Sequence, residues 1–454
     1  GRIDADNTSL FDNTGGTDAA ITLDNANNDF TGAVSVTASD TGSDVSLKDV
    51  NAIDLGAVSV GDALTVSSTG AITDSANITV GGLATVGSGG NAITLGDGTT
   101  ANFGSIDFAG STVAITEASA MSLAASEATG ALSLTASGAI TQTGAIDADG
   151  TSSIAAGANA ITLDAANDFT GAVSLSNTGA NDVSITDSNA LDLGTVDVGQ
   201  NLTITTGGTL SDSATVSVPG LATIVATGQT VILGDSTTAN FGSLDFAGAA
   251  VTITEDSAME IAASEATGAL SLTASGAITQ TGAIDADGTS SFSAGANTIT
   301  LTQANDFTGA VSLSNTGAND ASITDSNALI LGTVGVGQNL TVTTTGGALT
   351  DSANIAVEGL ATIVATGQSV TLGDAVGETT NFGSLDFAGA AVTITEDSSM
   401  SIAASEATGA LTLSANGAIT QTGAIAASSA SSFTTSVNDA TITLTDAANQ
   451  FTGA

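Results

Sequence analysis

The side chains able to do chemistry in this chain are almost all carboxylates. Forty-six Asp and Glu stand against two basic residues, Arg2 and Lys48, for a formal net charge of −44. His, Cys, Tyr and Trp are absent. Proton transfer, nucleophilic attack and oxyanion support mostly use His, Cys, Lys, Arg or Tyr. Most hydrolase, transferase and dehydrogenase mechanisms therefore lack their groups here. Paired carboxylates remain, the equipment of glycosidases. Glu255 with Asp256 and Glu396 with Asp397 are such pairs, but the matching place in an earlier copy is Glu117 with Ala118. A pair that loses one member reads as an acidic, solvated turn. No enzyme is expected, and a carbohydrate-active β-helix stays as the remote alternative.

The other arrangement with chemical meaning is the string IDADG, at 146–150 and 284–288. It sets Asp147 and Asp149, and Asp285 and Asp287, at alternate positions before a glycine. The start of an EF-hand loop has this spacing, but the bidentate Glu further on is missing. The string becomes IDADN in the first copy and IAASS in the last. These four aspartates are calcium candidates; the stronger expectation is diffuse binding, with no required cofactor and calcium as a counter-ion or bridge. Threonine pairs in LTIT (202–205), VTIT (251–254) and ITQT (278–281) invite an ice-binding reading. They recur on only some coils, so they read as strand residues.

Charge also bounds the partners. Two cations cannot neutralise a row of phosphates, which excludes nucleic acid, and an anionic membrane would repel the chain. No run of 18 apolar residues predicts a transmembrane helix. The absence of Cys fits an exported protein that needs no disulfides. Gly1-Arg2-Ile3 carries no signal-peptide pattern, so the chain reads as a mature or excised piece.

These residues must be positioned by a repeat. The stretch 166–196, ANDFTGAVSLSNTGANDVSITDSNALDLGTV, returns at 304–334 with two changes and, more loosely, at 27–58. The Phe of its N-x-F-T-G-A motif falls at Phe30, Phe169, Phe307 and Phe451, a period of about 138 residues. Within each period apolar triplets such as VSL (173–175), VSI (183–185), LTI (202–204), VIL (231–233) and LSL (270–272) alternate inward and outward. They read as short strands, punctuated by Gly, Asn, Asp and Ser turns. One coil cannot bury its own apolar face, whereas stacked coils can. The expected fold is all-β: a right-handed parallel β-helix, or β-solenoid, with roughly 20 residues per coil and about seven coils per repeat. Two rivals are an Ig-like array, disfavoured by the lack of Trp and Tyr, and a helix over the alanine-rich MEIAASEATGAL (259–270). The expected divisions are 1–146, 147–284, 285–425 and a partial repeat at 426–454, in one continuous rod of about 110 Å.

The strings LTASGAITQTGAI, ANDFTGAVSL and LGDSTTANFGSLDFAG resemble the repeats of very large bacterial surface exoproteins of the filamentous haemagglutinin type. That resemblance implies a right-handed parallel β-helix exported to the cell surface, serving as adhesin, stalk, sheath or fibre. The family's amino-terminal secretion module and an Arg-Gly-Asp motif are not in the sequence. The expected function is a structural segment of an extracellular fibre or filament that self-associates end to end or side by side. An adhesin stalk presenting a tip elsewhere in a longer chain is the alternative, with contact to a cell surface or polysaccharide.

Overall fold

The computed structural model describes residues 1–14, 20–375 and 377–453. Residues 15–19, Val376 and Ala454 lie outside the described residues. The chain divides into two compact units, 1–226 and 227–454. Among the described residues there is no helix, and no helix long and apolar enough to cross a membrane.

One turn of the first unit shows how the sequence builds the fold. Leu132–Ala136, Ile140–Gln142 and Ile146–Ala148 are three short strands separated by glycine-containing corners at Ser137-Gly138 and Thr143-Gly144. The next strand, Ser152–Ala155, lies parallel on the first, with Leu132 opposite Ser152 and Leu134 opposite Ile154. The second unit repeats the construction. Leu270–Ala274, Ile278–Gln280 and Ile284–Ala286 make the turn, and Ser290–Ser293 stacks on Leu270–Ala274.

The register counts the turns. In the first unit Val45 pairs with Leu64, Leu64 with Ala84, Ala84 with Ile106 and Ile106 with Leu123. On the same strand as Leu123, Met121 pairs with Ile140, Ile140 with Ile161 and Ile161 with Val183. Seven steps therefore cover the 138 residues from Val45 to Val183, about 20 per turn. In the second unit seven steps lead from Val251 through Leu270, Ser290 and Val311 to Leu331, and from Leu329 through Leu349 and Val370 to Val392. The fold is the expected parallel β-solenoid.

Period-two alternation sorts the side chains. Strands away from the chain's ends bury about every second residue, as in Val183–Asp187, where Val183, Ile185 and Asp187 point in. The lumen is filled by Val, Leu, Ile, Ala and Phe, with Phe169 and Val173 fully buried as expected. Burying one such aliphatic side chain stabilises by about 1.5–3 kcal/mol, and a solenoid distributes that gain along its length. The stretch 259–270 is strand, not helix: Met259–Ile261 and Ser264–Ala266 bury Met259, Ile261 and Ala266. Pro219, the one proline of the chain, sits inside the long strand Val216–Ala226, although proline is a residue expected at turns. The burial alternation is interrupted around it, because that strand bends from one side of the solenoid to the next, and proline's fixed φ suits the bend.

Candidate functional site

The acidic pairs separate in the folded chain. Glu255 and Glu396 end the strands Val251–Glu255 and Val392–Glu396 and point into the lumen with Val251 and Ile253, or Val392 and Ile394. Asp256 and Asp397 begin the following turns and are exposed. A solvated turn was the expectation; it holds for the two aspartates and fails for the two glutamates. The reason is strand phase. Glu255 lies four residues after Val251, in step with the buried positions.

Six carboxyls share this place. Asp49, Glu117, Asp187, Glu255, Asp325 and Glu396 each close a strand of the form V-x-x-x-D/E, with Ala321 in place of the Val before Asp325, and each is at most 1 % exposed. Each accepts a hydrogen bond from the backbone N–H of a phenylalanine one turn earlier. The donors are Phe30 to Asp49 (3.1 Å), Phe103 to Glu117 (3.0 Å) and Phe169 to Asp187 (3.2 Å) in the first unit. In the second unit they are Phe241 to Glu255, Phe307 to Asp325 and Phe382 to Glu396, each at 3.1 Å.

Two side-chain lengths solve one problem. The longer Glu takes a second bond from the hydroxyl two residues on: Ser119 at 3.0 Å, Ser257 at 2.8 Å and Ser398 at 3.0 Å. The shorter Asp takes the backbone N–H two residues on, from Asn51 or Asn189, both at 2.9 Å. This is the local turn that Asp favours. The other oxygen of Glu117, Glu255 and Glu396, and Oδ2 of Asp325, is buried without a hydrogen-bond partner.

Burial in apolar surroundings disfavours the charged form. It pushes Glu255 and Glu396 up to about 7 and Asp325 up to about 6. The phenylalanine amides and the serine hydroxyls pull the glutamates the other way, and Asp256 and Asp397 add to the rise. Asp49, Glu117 and Asp187 are raised by the same burial.

The calcium candidates stand elsewhere. Asp147, Asp149, Asp285 and Asp287 are all exposed. Asp147 lies in register between Glu127 and Asp168 of the neighbouring turns, and Asp285 between Glu265 and Asp306. Asp149 and Asp287 fall in the corners beyond. In the first copy the guanidinium of Arg2 crosses the matching file, 2.9 Å from Asp4 and 3.5 Å from Asp29. Asp285 is raised, first by desolvation and then by Asp306, Asp287 and Glu265. Among the described residues no group of three or more Asp, Glu, His or Cys is disposed to hold a metal ion. The threonine pairs do align outward across turns, but serine soon replaces them: Thr252 is followed by Ser271, Ser291 and Ser312, and Thr254 by Thr273, Ser293 and Ser314.

A second buried polar device was not expected at all. The Asn of N-x-F-T-G-A is inward at Asn167 and Asn305 and fully buried. Asn305 Oδ1 accepts from the Ile284 N–H and the Gln280 amide, both at 2.8 Å. Its Nδ2 donates to Gln280 Oε1 (3.1 Å), Leu301 O (3.2 Å) and Thr324 O (3.0 Å). Asn167 repeats the set with Ile146, Gln142, Leu163 and Thr186. The clasp sits where the register slips between Leu301 and Asn305, so a side chain supplies the partners the ladder cannot.

The comparisons agree with this periodicity. No curated protein and no solved structure matches the chain. One family model matches seven times, at 1–37, 42–106, 110–176, 180–244, 248–314, 318–385 and 389–454. Its unit is half the 138-residue period, and the six segments from 42 onward each place a buried carboxyl seven residues after the segment begins. With nearly its whole length covered by these segments, the chain belongs to the family described as repeats of unknown function, DUF5649.

Proposed function

We propose that this chain is a structural, non-enzymatic segment of an extracellular fibre at a bacterial surface, self-associating end to end or side by side. The observation that carries the reading is the register. In each unit successive turns pair in parallel, inward position on inward position, so the architecture is quasi-one-dimensional and suited to spanning distance. The lumen is packed with side chains, and the carboxylates that could serve as acid and base are divided between lumen and solvent. Divalent cations act as diffuse counter-ions to the −44 charge, bridging neighbouring copies without a resident cofactor.

Sedimentation velocity of the purified chain over a wide concentration range tests this. Growth into large species, reversed by a calcium chelator, supports self-association with bridging ions. Growth unaffected by the chelator supports association and removes the ion. A single small species at every concentration sinks the fibre and leaves the stalk of a longer adhesin as the better reading.

A further inference from the structure

The six lumen carboxyls each cap a buried phenylalanine amide, a task that does not require an ionisable group. A neutral amide could accept the same bond without the cost of burying an acid, yet each of the six full family segments keeps Asp or Glu there. Each carboxyl lies near the start of one segment and grips a phenylalanine amide in the segment before it. We propose that these carboxyls form a pH-dependent latch between consecutive repeats, closed when they are protonated and weakened when they ionise.

The surroundings offer no cation to any of the six, and Glu117, Glu255, Asp325 and Glu396 also keep one oxygen without a hydrogen-bond partner. Directly opposite on the next turn stand Ala136, Ala274 and Ala415 for the glutamates, and Ser68, Thr206 and Thr344 for the aspartates. None is charged. The charged groups that bear on the latch are acidic: Asp29 on Asp49, Asp168 on Asp187, Asp306 on Asp325, Asp256 on Glu255 and Asp397 on Glu396. None acts on Glu117, where Ala118 replaces the neighbouring acid. Lys48 precedes Asp49 but occupies the outward phase of the same strand, opposite Ser67. Arg2 is engaged by Asp4 and Asp29. A buried carboxylate with one oxygen unpartnered is costly, and the neutral acid is much less so.

The direction follows from linkage. In the unfolded chain a glutamate ionises near 4.5; in the folded chain Glu255 and Glu396 hold their protons to about 7. The stability they contribute is fully present below 4.5 and is lost as pH rises through 7. Each unit of difference is tenfold in the unfolding constant, so each of these two glutamates accounts for about two to three powers of ten.

The test is urea unfolding of the full chain followed by circular dichroism, from pH 5.5 to 8. The midpoint should fall with rising pH in the wild type. The double variant Glu255→Gln, Glu396→Gln keeps size and acceptor but cannot ionise; its midpoint should fall less. The exposed variant Asp256→Asn should keep most of the wild-type slope. Infrared spectroscopy of the wild type alone should show carboxylic-acid C=O absorption at pH 6 that vanishes by pH 8.5. A wild-type midpoint that is flat or rises with pH, or an infrared spectrum with no protonated carboxyl at pH 6, overturns the latch. These readouts do not depend on whether the chain forms fibres.

Discussion

Replacing Asn305 by alanine is the sharpest perturbation of the scaffold. The wild-type amide serves the Ile284 N–H, the Leu301 and Thr324 carbonyls and both ends of the Gln280 amide. Asn305 is fully buried, and Ile284 is fully buried beside it. Truncation leaves one backbone donor and two backbone acceptors without this partner. A buried group left unsatisfied costs about 1–3 kcal/mol, with the donor at the upper end because it has no second lone pair to share. Gln280 can swing to recover part of the loss. The net expectation is about 3 kcal/mol, concentrated on the turn from 278 to 307. With no Trp or Tyr in the chain, the readouts are far-ultraviolet circular dichroism in urea and hydrogen exchange by mass spectrometry. Exchange should accelerate in peptides covering 278–286 and 299–307 and stay unchanged around Val392–Glu396. Asn297→Ala, whose half-buried amide caps Ser275 O and Ala294 O, is the control and should cost under about 1 kcal/mol. An Asn305→Ala chain with wild-type exchange in both peptides and a loss below about 0.5 kcal/mol would refute the clasp.

Three further outcomes are expected. Gly288→Ala should destabilise by about 1–3 kcal/mol in urea titration, since a Cβ there would overlap the backbone carbonyl of Gly268 one turn away. Phe292→Ala should cost about 3–5 kcal/mol by the same titration, because Phe292 and Phe307 are both fully buried and meet edge to face with ring centroids 5.8 Å apart. Raising sodium chloride from about 0.02 M to 0.2 M should raise the melting temperature, because screening relieves repulsion within a chain of net charge −44.

The strands were legible because period two is a strong signal when turn residues bracket it. VSI, VTI and LSL stand where alternation places them, and even the alanine-rich stretch after Met259 follows it. The buried carboxyls were missed although the same signal contains them. In VSITD and VTITE the acid is in phase with the two apolar residues before it, which places it in the lumen. Treating acid as a mark of solvent overrode the phase. Asn305 was missed for a related reason: an Asn before a Thr-Gly corner looks like turn chemistry, and only the register slip beside it creates buried groups for it to serve. The half-length unit stayed hidden because its two versions carry different residues at the same places, Asp187 with Asn189 in one and Glu255 with Ser257 in the other. The Arg2 bridge depends on which turns lie side by side, which spacing within one turn does not reveal.

The most direct test of the fibre reading is electron cryo-microscopy of the chain concentrated in calcium. Filaments whose diffraction carries a layer line near 4.8 Å, the separation of stacked parallel strands, are the predicted result. Discrete particles that never join, or filaments without that spacing along their axis, would contradict it.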